Sequence, residues 1–429
     1  MEQTASKKTF RSYMLFWSGQ LFSLFGSSVA YFVLIWWITE TTQSAIILSI
    51  AIFSNILLMT IFMPIAGVLA DKVNRKILIG IVDSGQAIVT FVLIMLFHFN
   101  IANVWIVIGF ISLRSIFQAF HLPTVNAIIP AMVPKEKLSR INGINYLFTG
   151  VVQLLAPGLA AFLYVFLAIK QLLWIDIITF YIALIPLVFI KIPSFNRKSE
   201  AQELIKKTSF FKEFRLGIRT LKIIPGLTTL IILSMLLNFL IQPLNALLSL
   251  FIYVDHNGTA LLYALATIIF QAGMISGAVL TSVKKHWNNK IRVIFLTILF
   301  ALIGYMILGL APKGTFLVIG GLGGFILGFN LPIINALYQT FLQTTVPTDK
   351  IGRVTSIDQT LSMAISPIAT IIAGPIAELI GIPLLFFGCG LIGFGYTIAI
   401  WTFTGISKVD IESKGALERI NGQIEEISI

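Results

Sequence analysis

One arginine, Arg114, lies deep inside the apolar run 103–132, and Gln118 and His121 follow it on the same helical face. A charge near the middle of a bilayer costs at least ~2.5–3.5 kcal/mol on insertion scales, so it needs a partner and usually a task. Asp83, in the preceding apolar run, lies at a similar depth once the long arginine side chain snorkels. That pairing has two readings: an ion pair that holds two helices together, or a charge switch that a proton can open. Asp358 shares a helical face with Ser362 and Ser366. Asp83 and Asp358 are the deepest carboxylates and the best placed for proton exchange. Asp176 and Glu378 fall near the ends of their runs, where water reaches them, and read as solvated rim residues. His121 reads as a hydrogen-bonded cavity histidine before it reads as a proton carrier.

Other polar residues inside apolar runs also fall in stripes. Gln20, Ser23, Ser27 and Tyr31 share one face, as do Asn238, Gln242, Asn245 and Ser249, and then Asn335, Gln339 and Gln343. Such faces suit a shared wet cavity whose apolar wall is supplied by Phe22, Phe25, Phe117 and Phe239. The same spacing also serves interhelical hydrogen bonds in a closed bundle, at ~0.6–2 kcal/mol per contact.

The elements that must carry these residues follow from composition. Of 429 residues, 57% are hydrophobic and 11% charged, against ~25% charged in soluble domains. Mean hydropathy is +0.94. So few charges cannot coat the surfaces of a soluble chain this long, which excludes a soluble enzyme, a disordered hub and a fibrous protein. Twelve spans are expected, near 12–38, 44–70, 77–97, 103–132, 139–167, 171–191, 225–253, 259–283, 291–311, 315–345, 352–380 and 382–404. The first run lacks a small-residue cleavage site and reads as a retained span. Every Lys and Arg other than Arg114, Lys170 and Lys313 falls on one side of this map. The positive-inside rule then makes both termini cytoplasmic and the span number even. Trp36, Trp37, Trp105 and Trp174 fall at outer ends, as interfacial indoles should.

The net charge of +12 is accounted for by these loops, facing lipid headgroups, so no nucleic-acid partner is expected. A single cysteine, Cys389, permits no intrachain disulfide. No Gly-Lys dipeptide occurs, hence no Walker A sequence, and no metal-spaced Cys/His cluster or G-x-S-x-G is present. Enzymatic chemistry and ATP drive within the chain are therefore not expected.

The chain also repeats itself. Ala119-Phe120-His121-Leu122-Pro123-Thr124-Val125-Asn126-Ala127 recurs as Gly328-Phe329-Asn330-Leu331-Pro332-Ile333-Ile334-Asn335-Ala336. Val133-Pro134 with Lys137 and Arg140 matches Val346-Pro347 with Lys350 and Arg353, and Ala156-Pro157 matches Ser366-Pro367. Two related six-span halves follow: an N-terminal six-helix bundle over 1–191 and a C-terminal one over 225–404, with a cytoplasmic tail at 405–429. Spans 1, 4, 7 and 10, which carry the polar stripes, are equivalent in this scheme. Secondary transporters use such repeats to move one half against the other. The joining segment 192–224 places Phe211, Phe214, Ile218 and Leu221 beside a basic stripe of Lys212, Arg215, Arg219 and Lys222. This reads as an amphipathic helix on the inner leaflet or, more plainly, a solvated linker.

Gly67-Val68-Leu69-Ala70-Asp71-Lys72-Val73-Asn74-Arg75-Lys76 resembles the signature loop of the major facilitator superfamily, with Asn74 in place of a glycine. Asparagine tolerates the left-handed conformation better than most residues. The resemblance implies an all-α fold of twelve helices in two pseudo-symmetric bundles, and a gating role for Gly67, Asp71, Arg75 and Lys76. Asp71 would meet the start of span 11. Arg114 resembles the span-4 arginine of the superfamily's proton-driven drug exporters. Their glycine-rich span-5 motif survives only as Gly143, Ala156, Ala160 and Ala161 around Pro157.

Trp17-x-Gly19-Gln20, Arg114-Ser115 and the segment from Ala119 to Ala127 are most similar to the macrolide efflux permeases. That likeness implies proton-coupled export of amphiphilic drugs, with no cofactor, in the cell membrane, by a chain that suffices as a monomer. Arg114, Asp83 and Asp358 would couple the proton; Gln20, Asn238 and Gln242 would fix the substrate's polar groups. Export of a siderophore or other metabolite, and lysophospholipid translocation, are alternatives from neighbouring branches. A channel or a non-transporting signalling protein is the alternative from another class.

Overall fold

The computed structural model describes residues 7–190, 226–284, 287, 289–346, 351–404 and 406. The expected linker helix in 192–224, the tail and Lys350 lie outside the described residues, as do the side chains of Asp71 and Arg353. Among the described residues, twelve helices are long and apolar enough to cross a membrane. In chain order they are α1 (Lys7–Thr42), α2 (Ala45–Lys72), α3 (Arg75–His98), α4 (Val104–Met132), α5 (Leu138–Tyr164) and α6 (Ile169–Phe189). There follow α7 (Leu227–Leu250), α8 (Ala260–Val283), α9 (Lys290–Gly309), α10 (Phe316–Thr345), α11 (Ile351–Ile380) and α12 (Ile382–Phe403). The expected spans match them closely. The largest departure is α1, which begins at Lys7 because Lys7 to Arg11 extend the helix past its apolar part.

Short polar caps set the boundaries. Ser44, Asn74, Asn103 and Asn289 each accept a hydrogen bond from the backbone N–H of the first turn of α2, α3, α4 and α9, satisfying donors that a helix start leaves free. Asn74 therefore corrects the expectation placed on it. Its φ is −60°, so the loop needs no left-handed residue there, and the asparagine serves as a cap.

The chain forms two compact units. One comprises 1–196, 246–271 and 370–379; the other comprises 197–245, 272–369 and 380–429. In the first, α1 packs against α6 and α5, α4 lies between α2 and α3, and α3 also meets α6. Val29, Val33, Ala156, Ala160, Ala161 and Leu172 form part of its core, all of them fully buried. The small residues of α5 thus let α1 approach closely. Trp36, expected at the membrane interface, is instead fully buried there, ring-stacked on Tyr263 at 5.8 Å. In the second unit α9 packs on α10 and α12. A Cβ on Gly304 would stand 2.6 Å from Gly323 O, and one on Gly323 would stand 2.5 Å from Gly304 O, so backbones touch where this pair crosses.

Candidate functional site

Gly26 fixes the first part of the site. A Cβ there would overlap Thr179 Oγ1 and come within 3.0 Å of Asp176 Cα, so only glycine lets α1 lie this close to α6. That approach brings the next residue, Ser27, to Asp176: its hydroxyl donates to Oδ1 at 2.8 Å. Thr90 of α3 donates to Oδ2 at 2.7 Å, and Arg114 of α4 donates to both Asp176 Oδ2 and Thr90. Asp176 is 5% exposed. It is a buried ion-pair partner, not a solvated rim residue, and it rather than Asp83 neutralises Arg114.

Asp83 belongs to a second cluster. Gln20 Nε2 donates to Asp83 Oδ2 at 3.2 Å, while Gln20 Oε1 lies 2.8 Å from His121 Nε2. His121 Nε2 is also 3.4 Å from Asp83 Oδ1. Two acceptors face that nitrogen, which in the neutral imidazole places the ring proton on Nε2, and Nδ1 is buried with no hydrogen-bond partner among the described residues. Each helix contributes to both clusters seven residues apart: Gln20 and Ser27 on α1, Asp83 and Thr90 on α3, Arg114 and His121 on α4. Seven residues are about two helical turns, or ~10 Å, so the clusters are stacked layers of one three-helix seam.

A cavity of ≈ 430 Å³ opens beside the first layer in this unit. Of the residues expected to line a cavity, Ser27, Tyr31, Arg114 and Gln118 do so. Gln20 and His121 sit in the second layer instead. Phe22 is exposed, Phe25 packs against the core, and Phe117 packs toward Leu78 and Val82. Asn55 of α2 and Gln86 of α3 also face the cavity, with the apolar Leu24, Phe32 and Phe270. Sequence reading missed Asn55 and Gln86 because it sought polar stripes on the spans that the repeat made equivalent, and α2 and α3 are not among them; the Asp83–Gln86–Thr90 spacing on α3 was the available signal.

Asp176 had a legible signal. Measured from the end where α4 and α6 both begin, Arg114 lies ~15 Å in and Asp176 ~10 Å in, within reach of an arginine side chain. Asp83 lies ~22 Å from that same end.

In the second unit, Asp358 is buried and accepts from Tyr338 Oη at 2.8 Å. Gln242 Nε2 donates to Ser366 Oγ at 3.1 Å, and Asn238 donates to the Ser234 carbonyl at 2.9 Å. Phe239 and Gln339 are half-buried; Asn245 and Asn335 are exposed. In the signature loop, Arg75 Nη1 donates to Ala127 O at 2.9 Å, tying the start of α3 to α4. Lys76 Nζ donates to Val188 O and Ile190 O at 2.7 and 2.8 Å, capping the carbonyls that end α6. A Cβ on Gly67 would meet nothing within 4 Å.

Twelve helices long and apolar enough to cross a membrane, with a cavity and a buried ion pair inside one unit, fit a multi-pass membrane transporter. The sequence profile of the Major Facilitator Superfamily matches residues 16–370, and the chain belongs to that superfamily. Macrolide efflux protein A of Streptococcus pyogenes is 28% identical over 400 residues, covering 92% of this chain and 96% of that protein. The protein of the same name from Enterococcus faecalis is 28% identical over 329 residues, covering 76% and 99%. The crystal structure of a D-xylose-proton symporter superposes with a TM-score of 0.68 at 13% identity, covering 92% of this chain and 98% of that one. The chain is thus a cell-membrane transporter of the kind whose relatives carry the name macrolide efflux protein.

Proposed function

We propose that this transporter exports bulky amphiphiles of the macrolide kind in exchange for protons. The observation that carries the reading is the double duty of Arg114, which lines the cavity and holds a buried carboxylate. Substrate and ion pair therefore share one wall. The cavity lies within the ~300–1,000 Å³ range of small-molecule sites. Its apolar face (Leu24, Phe32, Phe270) takes an apolar ring, and the amides of Asn55, Gln86 and Gln118 pair with hydroxyl and carbonyl groups. Each amide offers both a donor and an acceptor.

Proton exchange belongs to the second layer in this reading. His121 Nδ1 is the free acceptor, and a proton taken there makes a cation beside Asp83. That change alters the hydrogen bonds joining α1, α3 and α4, and so biases the equilibrium between two access states. Asp358 with Tyr338 is the corresponding acid of the second unit. The termini face the cytoplasm, and one chain suffices for transport.

Everted membrane vesicles, energised so that the lumen is acid, provide the test. Addition of a macrolide should raise lumenal pH through wild-type protein and leave it unchanged with Arg114→Ala expressed at equal level. Wild-type coupling in that variant would overturn the assignment. A response to a catechol siderophore or a lysophospholipid alone would make the protein a dedicated exporter of that compound.

A further inference from the structure

A second cavity lies away from the site above, in the groove between α9 and α12, with a volume of ≈ 320 Å³. Its upper rim is Asn289 and Arg292, at the start of α9, and Trp401, in the last turn of α12. Its walls are Phe295, Leu296, Leu299 and Ile398. Trp401 stacks at a tilt on Phe295 at 5.0 Å, giving the rim a fixed aromatic floor. Leu296 is 45% exposed and Ile398 40%. The groove therefore opens sideways, onto what surrounds membrane-crossing helices, and not into the core of the unit. Arg292 is exposed, and its side chain has no ion pair among the described residues.

Depth and charge identify the occupant. From Asn289 to Leu299 is ten residues of helix, or ~15 Å, which is the hydrocarbon depth of one leaflet of a ~30 Å core. A cation and an indole stand at the depth of the headgroups, and an apolar trough runs inward from them. We propose that this groove is a binding site for an anionic phospholipid. The phosphate would sit on Arg292, the glycerol region against Trp401, and one acyl chain along Leu296, Leu299 and Ile398. Basic groups between membrane helices bind anionic headgroups in this manner. A free phosphate would use the rim and leave the trough empty, so trough and cation together specify a lipid. The site is independent of the export reading and of the cavity near Arg114.

The test uses the full chain, purified in detergent, stripped of lipid and titrated with phosphatidylglycerol under native mass spectrometry. Wild-type protein should hold one tight phosphatidylglycerol, and Arg292→Ala should weaken it at least ~5-fold. Arg292→Lys should restore part of the loss, and Ile398→Trp, which fills the trough but keeps the cation, should weaken binding as well. Melting temperature without lipid should match wild type in each variant, while the rise on adding phosphatidylglycerol should be lost in Arg292→Ala. Equal binding by wild type and Arg292→Ala would overturn the proposal. So would displacement of the lipid by millimolar inorganic phosphate, which would make this a site for the free ion. A chain ending at residue 406 that binds the lipid far more tightly than the full chain would also overturn it, since an acidic tail segment would then be the native occupant.

Discussion

The two polar layers of the α1–α3–α4 seam use the same three helices and differ in what they hold. The first joins Arg114 to Asp176, with Ser27 and Thr90 as neutral donors. The second joins His121 to Asp83 through Gln20. α4 supplies the base in both layers and α1 the neutral side chain, but the acid moves from α6 to α3. Guanidinium groups stay protonated across the range in which proteins fold, whereas imidazoles gain and lose a proton within it. The proposed mechanism accordingly treats the first layer as a permanent pair and assigns the change of charge to the second. Under it, structural fixation belongs to the first level of the seam and proton exchange to the second.

The largest test of that contrast removes an acid from each layer. Asp176→Ala leaves Arg114 uncompensated inside the membrane, and removal of one member of a buried pair costs about 3–5 kcal/mol. Asp83→Ala leaves only Gln20 and a histidine that can be neutral, at about 1–2 kcal/mol, the usual cost of lost polar contacts between membrane helices. Reversible unfolding in mixed micelles measures both. The double variant Arg114→Met with Asp176→Leu should recover most of the stability lost by Asp176→Ala, yet not transport. Equal losses for the two single variants would remove the contrast.

Gly26→Ala should come next. Its Cβ would overlap Thr179 and press on the Asp176 backbone, at the ~1–3 kcal/mol typical of overpacking. Because α1 must shift to relieve the clash, Ser27 should leave Asp176 while Gln20, two turns away, stays with Asp83. Cysteine cross-linking between α1 and α6 would report that local parting. A smaller effect on stability, under ~1 kcal/mol, is expected for His121→Gln, whose amide nitrogen can still face Gln20. Proton release on substrate addition should nonetheless disappear in it. Retention of coupled release there would move the exchange site out of the second layer.

These contrasts were only partly written in the sequence. Span number and boundaries were legible because apolar length and capping residues are local properties, and the structure has α2 at Ala45–Lys72 where the pattern placed 44–70. That Arg114 needed a partner was legible from its depth. Depth counted from a common end favoured Asp176 over Asp83, but that α6 stands beside α4 at all depends on α1 meeting α6 through Gly26, a contact between residues far apart in the chain. Trp36 shows the same limit: indoles near helix ends mark the interface on average, but this one packs on Tyr263 and Tyr253. Asn74 shows the reverse, a residue judged by the family pattern whose local role as a helix cap decided its conformation.

The finest test compares the two neutral side chains on α1. Ser27→Ala removes one donor from Asp176, which keeps Arg114 and Thr90; the expected loss is about 1 kcal/mol or less. Gln20→Ala removes a side chain that bonds two groups at once, donating to Asp83 and accepting from His121. Its effect on stability should be of similar size, because acid and imidazole are already 3.4 Å apart and can close on each other. The functional outcomes should separate. Without Ser27 the permanent pair persists, so transport slows or speeds with an unchanged dependence on pH. Without Gln20 the imidazole and carboxylate interact directly, so the pH at which proton release is half-maximal should move. Initial rates of release across pH 5.5–8.5, an interval of about one unit or more on either side of an unperturbed imidazole, decide the matter. A displaced profile in Ser27→Ala, or an undisplaced one in Gln20→Ala, would show that proton exchange is not confined to the second layer.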